Sequence, residues 1–415
     1  MPRAFLHVAA GTVLVLASVL AGGRSPAIEV SGRLGLESRW YHQDEDHPGQ
    51  RSHASGVVVE PKLYAEDDEG RSVTLAPFFR YDDGDPRRTH FDLREAYFLV
   101  FGEAGDGEWE LRLGADRVFW GVAESRHLVD IVNQTDLIEN PDEEAKLGQL
   151  MAHLTLSGEW GVAELFALPY HRKRTFPGRE GRLRSRFVVD DGRAFYESSA
   201  EEWHVDSAAR YSHSFGLLDL GVSVFAGTSR EPCLVCRPPR LNPRGELLLV
   251  PYYEQIRQFS LDAQLTIEAW LLKLEALHRS GASNQVGREE DYAAFVAGGE
   301  YTFSSIFESE LDLSLLAEWN YDGREEDATN VFQNDIFLGA RLAFNDVQST
   351  DVVVSVLADA DHSTRSLFVE FNRRLSDHWS FHLESVFFLT VDRADIATYQ
   401  TRRDSFVELH LNFNF

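Results

Sequence analysis

The C-terminal run SFVELHLNFNF (405–415) places Val407, Leu409, Leu411, Phe413 and Phe415 at every second position, with Glu408, His410, Asn412 and Asn414 between them. Successive side chains of a strand point to opposite faces, whereas a helix returns to one face about every 3.6 residues. This spacing therefore predicts a strand with one face in an apolar solvent and the other in a polar one. In IEVSGRLGLESRW (28–40), Ile28, Val30, Leu34, Leu36 and Trp40 oppose Glu29, Arg33, Glu37 and Arg39. In LDLSLLAEWNY (311–321), Leu311, Leu313, Leu315, Ala317, Trp319 and Tyr321 oppose Asp312, Ser314, Glu318 and Asn320. A chain written this way almost throughout is all-β.

Soluble sandwiches, propellers and membrane barrels all use many such strands. Three features select the barrel. The strands run about 10 residues, the length that crosses a bilayer at a tilt. Aromatics (Trp40, Tyr81, Trp109, Trp319, Tyr321, Trp379, Phe413) stand at strand ends, as interfacial girdles do. No propeller-type repeat is present. Strands are expected at about 28–41, 54–66, 71–81, 90–101, 108–118, 148–157, 160–170, 202–213 and 217–228. A second set follows at about 252–265, 267–279, 291–303, 309–321, 331–344, 350–359, 364–375, 378–390 and 403–415. Connections after even-numbered strands are short, and most after odd-numbered ones are long, notably 119–147, 171–201 and 229–251. Short turns at one end and long loops at the other is the bacterial outer-membrane pattern. The expected fold is a single transmembrane antiparallel β-barrel over 28–415, with about 18 strands and an inward-folded constriction loop. Adjacent charges at Arg94 and Glu95 would put one of them in lipid unless a bulge intervenes, and losing that hairpin would leave 16 strands.

The chain carries 67 acids against 40 Lys and Arg, a formal charge of −27, which excludes the basic footprint of a nucleic-acid binder. After Arg3, the apolar run Phe5–Leu20 leads to small residues and Ser25-Pro26-Ala27, the order of a cleaved secretory signal over 1–27. No later stretch approaches the length of a membrane helix. Cys233 and Cys236, in REPCLVCRPPRLNP, predict a small loop disulfide in an exported chain. The Pro-rich flank denies them the helix of a redox motif, and two thiols do not make a zinc site.

A barrel this wide leaves an aqueous channel. Its expected lining includes Glu110, Arg112, Asp116, Arg210 and Arg341, with Asp262, Asp312, Glu318, Glu384, Glu408 and His410 on the same inward set. The segment PYHRKRTFPGREGRLRSRF stands out as basic, with Arg172, Lys173, Arg174, Arg182 and Arg184 expected on an outer loop. Such a loop would either steer anions into the mouth or pair with lipopolysaccharide phosphates and neighbouring acids. Residues 119–147 are expected to fold inward, with weak helical periodicity at Val122, Leu128, Val129 and Val132 and a polar lining of Glu124, Arg126, His127, Asp130, Asn133 and Asp136. Glu124-x-x-His127 has the spacing of half a di-metal motif, but Glu201-x-x-His204 and Glu275-x-x-His278 repeat it. In a strand, positions three apart face opposite sides, so the spacing carries no metal. No nucleophile elbow, metalloprotease or phosphate-binding motif is present, and neither an enzyme nor a cofactor is expected.

The rhythm of strands and loops and the terminal Phe resemble bacterial porin-type barrels over the whole chain, the ending being similar to the signal read by their assembly machinery. More narrowly, DLREAYFLV and WELRLGADRVFWG resemble the alginate-export and phosphate-selective porin-like families and related uncharacterised barrels, through Leu111, Leu113, Gly114, Trp120 and Gly121. Ala115-Asp116-Arg117 replaces the basic residue usual after the strand Gly, so no substrate preference carries over. The resemblance implies an outer-membrane porin-like channel for passive passage of small hydrophilic solutes, anions among the candidates. The alternatives are an export conduit for a polymer or lipid-like compound with periplasmic partners, and an outer-membrane enzyme or surface-interaction barrel. Expected partners are outer-membrane lipid and lipopolysaccharide, the barrel assembly machinery and the solute. A homo-oligomer is compatible with the sequence; nucleic acid is not.

Overall fold

The computed structural model describes residues 28–140 and 142–415, so the signal segment expected over 1–27 lies outside the described residues. The chain rises and falls in 18 antiparallel strands. The first six are β1 (Ile28–Tyr41), β2 (His53–Glu66), β3 (Ser72–Asp82), β4 (His90–Ala104), β5 (Gly107–Asp116) and β6 (Gln149–Gly158). Next come β7 (Gly161–Leu168), β8 (Asp206–Phe215), β9 (Leu218–Thr228), β10 (Gln255–Ile267), β11 (Trp270–Ser283) and β12 (Glu289–Phe303). The last six are β13 (Asp312–Asp322), β14 (Asn334–Ala343), β15 (Asp351–Asp359), β16 (Arg365–Arg374), β17 (Trp379–Thr390) and β18 (Phe406–Asn414). Each pairs with its neighbours in sequence, and β18 pairs with β1 from Arg33↔Asn414 to Tyr41↔Phe406. The sheet is closed and has no free edge.

The Arg94–Glu95 conflict is resolved as the sequence required. Ala76 pairs with Glu95 and Pro77 with Leu93, which leaves Arg94 as the extra residue of a bulge. Both charges therefore avoid lipid, Arg94 donating to Asp136 at 2.7 Å and Glu95 accepting from Arg117 at 2.9 Å. The 18-strand count stands.

The polarity of the wall is inverted relative to a soluble protein. Leu34, Leu36, Val224, Phe259, Leu272, Leu315, Leu338 and Val354 are exposed, while Glu275, Glu318, Glu408, Asp92 and Asp206 are buried. Exposed aromatics bound this apolar belt at both ends, with Trp40, Tyr81 and Trp319 near the long loops and Trp160, Trp270 and Trp379 near the short turns. That surface is the one a bilayer covers.

The long loops fold over and into the barrel rather than away from it. Segment 117–148 packs against the inside of β6–β12, where Trp120, Leu128, Val129, Ile131 and Val132 meet Met151, Phe166, Phe225, Ile256, Leu277 and Val296. Cys233 and Cys236 are disulfide-bonded in the loop 229–254, where Cys233 exchanges backbone hydrogen bonds with Tyr252.

Candidate functional site

The inward loop leaves the wall through two glycines. Gly114 has φ +138°, and a Cβ there would stand 2.2 Å from the Ala96 carbonyl oxygen. Gly121 has φ +139°, and its Cβ would lie 2.8 Å from Glu275 Oε1. Only glycine fits both the backbone and the space. Between them Trp120 turns into the interior, edge-on to Phe166 at 5.6 Å, with Arg210 over its ring at the same distance.

Two wall carboxylates then hold the loop by its backbone. Glu275 accepts N–H bonds from Val122 (2.6 Å), Ala123 (2.9 Å) and Val129 (3.1 Å). Glu318 accepts from the N–H groups of Glu124 (3.0 Å) and Ser125 (2.8 Å) and from the Ser125 hydroxyl (2.6 Å). These bonds take the place of a helical ladder, and no helix forms among the described residues between 117 and 148. The weak helical periodicity expected there is corrected accordingly: Val122, Leu128, Val129 and Val132 are the face pressed on the wall and its carboxylates, not one side of a helix.

The six residues expected to line the constriction divide evenly. Glu124, Arg126 and His127 border open lumen; Glu124 pairs with Lys273, Arg126 lies over the Phe332 ring at 5.2 Å, and His127 stands edge-on to Phe119 at 4.7 Å. The other three turn into the protein. Asp136 is fully buried between Arg94 (2.7 Å) and the Thr175 hydroxyl (2.6 Å). The Asn133 amide donates to the Asp116 and Leu147 carbonyls, both at 2.9 Å, closing the base of the loop. Asp130 faces Lys146 at 3.4 Å, and burial pushes its carboxyl above the ordinary range. A side chain fixing a loop needs partners on the protein side, so alternation beyond the strand end no longer reports lumen exposure.

The expected wall residues lie on the inner face. Arg112 donates to Glu110 (2.7 Å) and Asp116 (3.1 Å), and Arg210 to Asp262 through both terminal nitrogens. Arg341 is the most open of them, with Asp351 at 3.8 Å.

The basic segment is not an outward-facing funnel. Arg172 donates to Asp92 at 2.9 Å and to the Gly148 carbonyl, Arg182 to Asp404 at 2.6 Å, and Arg174 to the Arg230 carbonyl and Glu143. Arg184 is buried against the carbonyls of Arg179, Ser185 and Arg186. Lys173 is half-buried. Burial, with Arg230 beside it, holds the His171 imidazole down to about 3, so it is neutral near pH 7. The guanidinia tie this loop across the mouth, Arg172 to β4, Arg174 to the inward loop and the loop after β9, and Arg182 to the segment before β18.

With these two loops docked, open space remains on two inner walls, one cavity of about 620 Å³ against β5–β7, lined by Glu110, Arg112, His153 and Glu164, and another beside β14–β17. The second, of about 350 Å³, lies between the inward loop and that wall. Glu124, Asp142, Glu144, Asp335, Glu370, Glu384 and Asp395 border it against a single guanidinium, Arg126. Phe332, Phe337, Phe368 and Phe388 supply its apolar surface. Asp142 meets lumen water yet is enclosed by the barrel, and that burial, with Glu144 and Glu384 nearby, pushes its carboxyl up to about 7. The sequence singled out Glu124 and Glu384 but neither the remaining acids nor the aromatics of this cavity.

Among the described residues three groups have metal-like spacing, one of them Cys233, Cys236 and Glu254, whose sulfurs are already joined in the disulfide. In the other two, His382, Glu384 and His410 bring donor atoms within 4.8 Å of one another, as do His90, Asp136 and Glu139. In the first, both His410 nitrogens face carboxylates, Glu37 at 3.3 Å and Glu408 at 3.5 Å. In the second, Asp136 is already held by Arg94. Both are ion-pair networks.

No known family and no curated sequence matches the chain. Among solved structures, one described as "Asymmetric conductivity of engineered proteins" superposes with a TM-score of 0.45 and 10% identity, over 94% of this chain and 100% of that one. A triple-substituted Rhodopseudomonas blastica porin gives a TM-score of 0.43 and 9% identity over the same shares. The closed ladder, the apolar outer belt and the docked inward loop stand without these likenesses. The architecture is that of a porin-type barrel.

Proposed function

We propose that the protein is a passive channel of the bacterial outer membrane for small hydrophilic solutes, with the path running along the inner face of β14–β17. The reading rests on one observation above others: the open cavity beside that wall is bordered by seven carboxylates and one guanidinium. Carboxylate-lined passages favour cations. The preference is thus for cationic or neutral polar solutes, and not for the anions that the basic loop suggested. Outer-membrane lipid and lipopolysaccharide are the partners that fit the apolar belt. The test is single-channel recording of the purified barrel in planar bilayers under a salt gradient. A stable conductance with a cation-selective reversal potential is expected; an anion-selective reversal potential would overturn the preference, and a silent bilayer the channel itself.

A further inference from the structure

The cavity beside β14–β17 is more than a wide place in a wet lumen, because its charges are unbalanced and its apolar surface is aromatic. Cross-strand register sets Glu370 directly opposite Glu384, and Asp335 directly opposite Asp359. Like charges at such positions repel. On the far side of Glu384, Glu408 has Arg39 as its counter-ion, and Asp359 has His362 at 3.0 Å. Among the described residues, Glu370, Glu384, Asp335, Asp142 and Asp395 form no ion pair. Asp335 is only 3% exposed, borders the cavity, and accepts one long bond from the neighbouring Asn334 N–H. A carboxylate so enclosed without a cation is costly unless something positive arrives.

The rows between the two acid pairs are mostly apolar, interrupted by Ser355 and Ser366. Phe337, Leu357, Phe368, Val386 and Phe388 occupy the inward positions, and Phe332 reaches over from the preceding loop. An inorganic cation has no use for such a surface. A solute with a cationic head and an apolar body uses both parts: the head beside the carboxylates, the body on the phenyl faces, which themselves attract cations. The volume suits a small organic ligand.

We infer that this cavity is a binding site for amphiphilic organic cations, an ammonium or guanidinium carried on an aromatic or aliphatic body. The inference rests on the channel reading for its role in passage, although the site itself does not require conduction.

Three probes separate the contributions: phenethylammonium has head and body, ammonium the head alone, and 2-phenylethanol the body alone. Each is added to the full-length barrel in a planar bilayer, and its binding to the detergent-solubilised barrel is followed by calorimetry. Phenethylammonium is expected to interrupt the potassium chloride current, and to bind, at about tenfold lower concentration than either partial probe. Glu370→Gln and Phe368→Ala should each erase most of that difference. Equal effects of ammonium and phenethylammonium would overturn the aromatic contribution, and equal effects of 2-phenylethanol the acidic one. A barrel that conducts but neither blocks nor binds overturns the site alone. One that binds the probe without conducting retains the site and overturns the channel. Should a variant fail to fold, the three-probe comparison on the unaltered barrel still decides.

Discussion

The two sides of the barrel interior are built from the same alternating strands but end in opposite states. Along β6–β12 the inward positions include Met151, Phe166, Leu168, Phe225, Ile256, Leu277 and Val296, and a loop lies on them. Along β14–β17 the corresponding positions mix Phe337, Phe368 and Phe388 with Asp335, Glu370 and Glu384, and a cavity separates most of this wall from the inward loop, which reaches it where Asn140 donates to Glu384. An apolar inner wall cannot face water cheaply, so it recruits chain to bury it. A wall of carboxylates is wettable and needs no such cover, which is why the proposed path follows it.

The sharpest way to break this contrast is to remove the cover. Deleting residues 122–140 should raise single-channel conductance by a few-fold, on the order of the cross-section restored to the lumen. An unchanged conductance would show that the loop lies outside the path. A milder release is Glu275→Ala, which strips the acceptor from the Val122, Ala123 and Val129 N–H groups. With unpaired buried donors costing about 1–3 kcal/mol each, the thermal midpoint should fall and the current should become noisy between two levels. Glu275→Gln keeps one acceptor oxygen and should show less of both; identical behaviour of the two variants would mean the carboxylate does not hold the loop.

On the open side, Asp142→Asn together with Glu370→Gln should lower the cation-to-anion permeability ratio by about twofold, read as a shift of reversal potential. Acidity should act in the same direction. Asp142 is pushed up to about 7 and faces Glu144 on its own loop and Glu384 on the wall. A group with a raised pKa is neutral below its midpoint, so cation selectivity should be greater at pH 8 than at pH 5, and Asp142→Asn should flatten the change. A profile as steep in that variant as in the original would assign the titration elsewhere. The smallest effect is expected from Lys173→Glu on the basic loop, which should leave selectivity within about twofold of its original value. A reversal of selectivity there would restore that loop as the mouth's electrostatic funnel.

The barrel itself was legible because lipid enforces alternation on every strand, and even the Arg94 bulge was announced by two adjacent charges. The inward loop was legible from its length and its Trp-Gly turn. The docking surface beneath it left a fainter trace: LFAL (165–168) and AAFVA (293–297) are apolar at consecutive positions, which marks strands buried on both faces. The acid-aromatic cavity was not legible, because its residues come from four strands and several loops, and only the register shows that Glu370 faces Glu384. The roles of Arg172 and Arg182 were hidden for a related reason, since their acids, Asp92 and Asp404, lie 80 and 222 positions away.

The backbone bonds to Glu275 and Glu318 have a consequence for assembly. They join residues 153 and 194 positions apart, across a span that contains seven later strands. Contacts of such sequence separation form late, because intervening chain must first be ordered. The narrowed interior is therefore a product of a nearly finished wall, and a barrel still adding strands is wide open, its loop apolar and undocked. Protection of these amides from hydrogen exchange would thus act as a clock, starting at Val122 and Ala123 once β11 has taken its place and at Ser125 once β13 has.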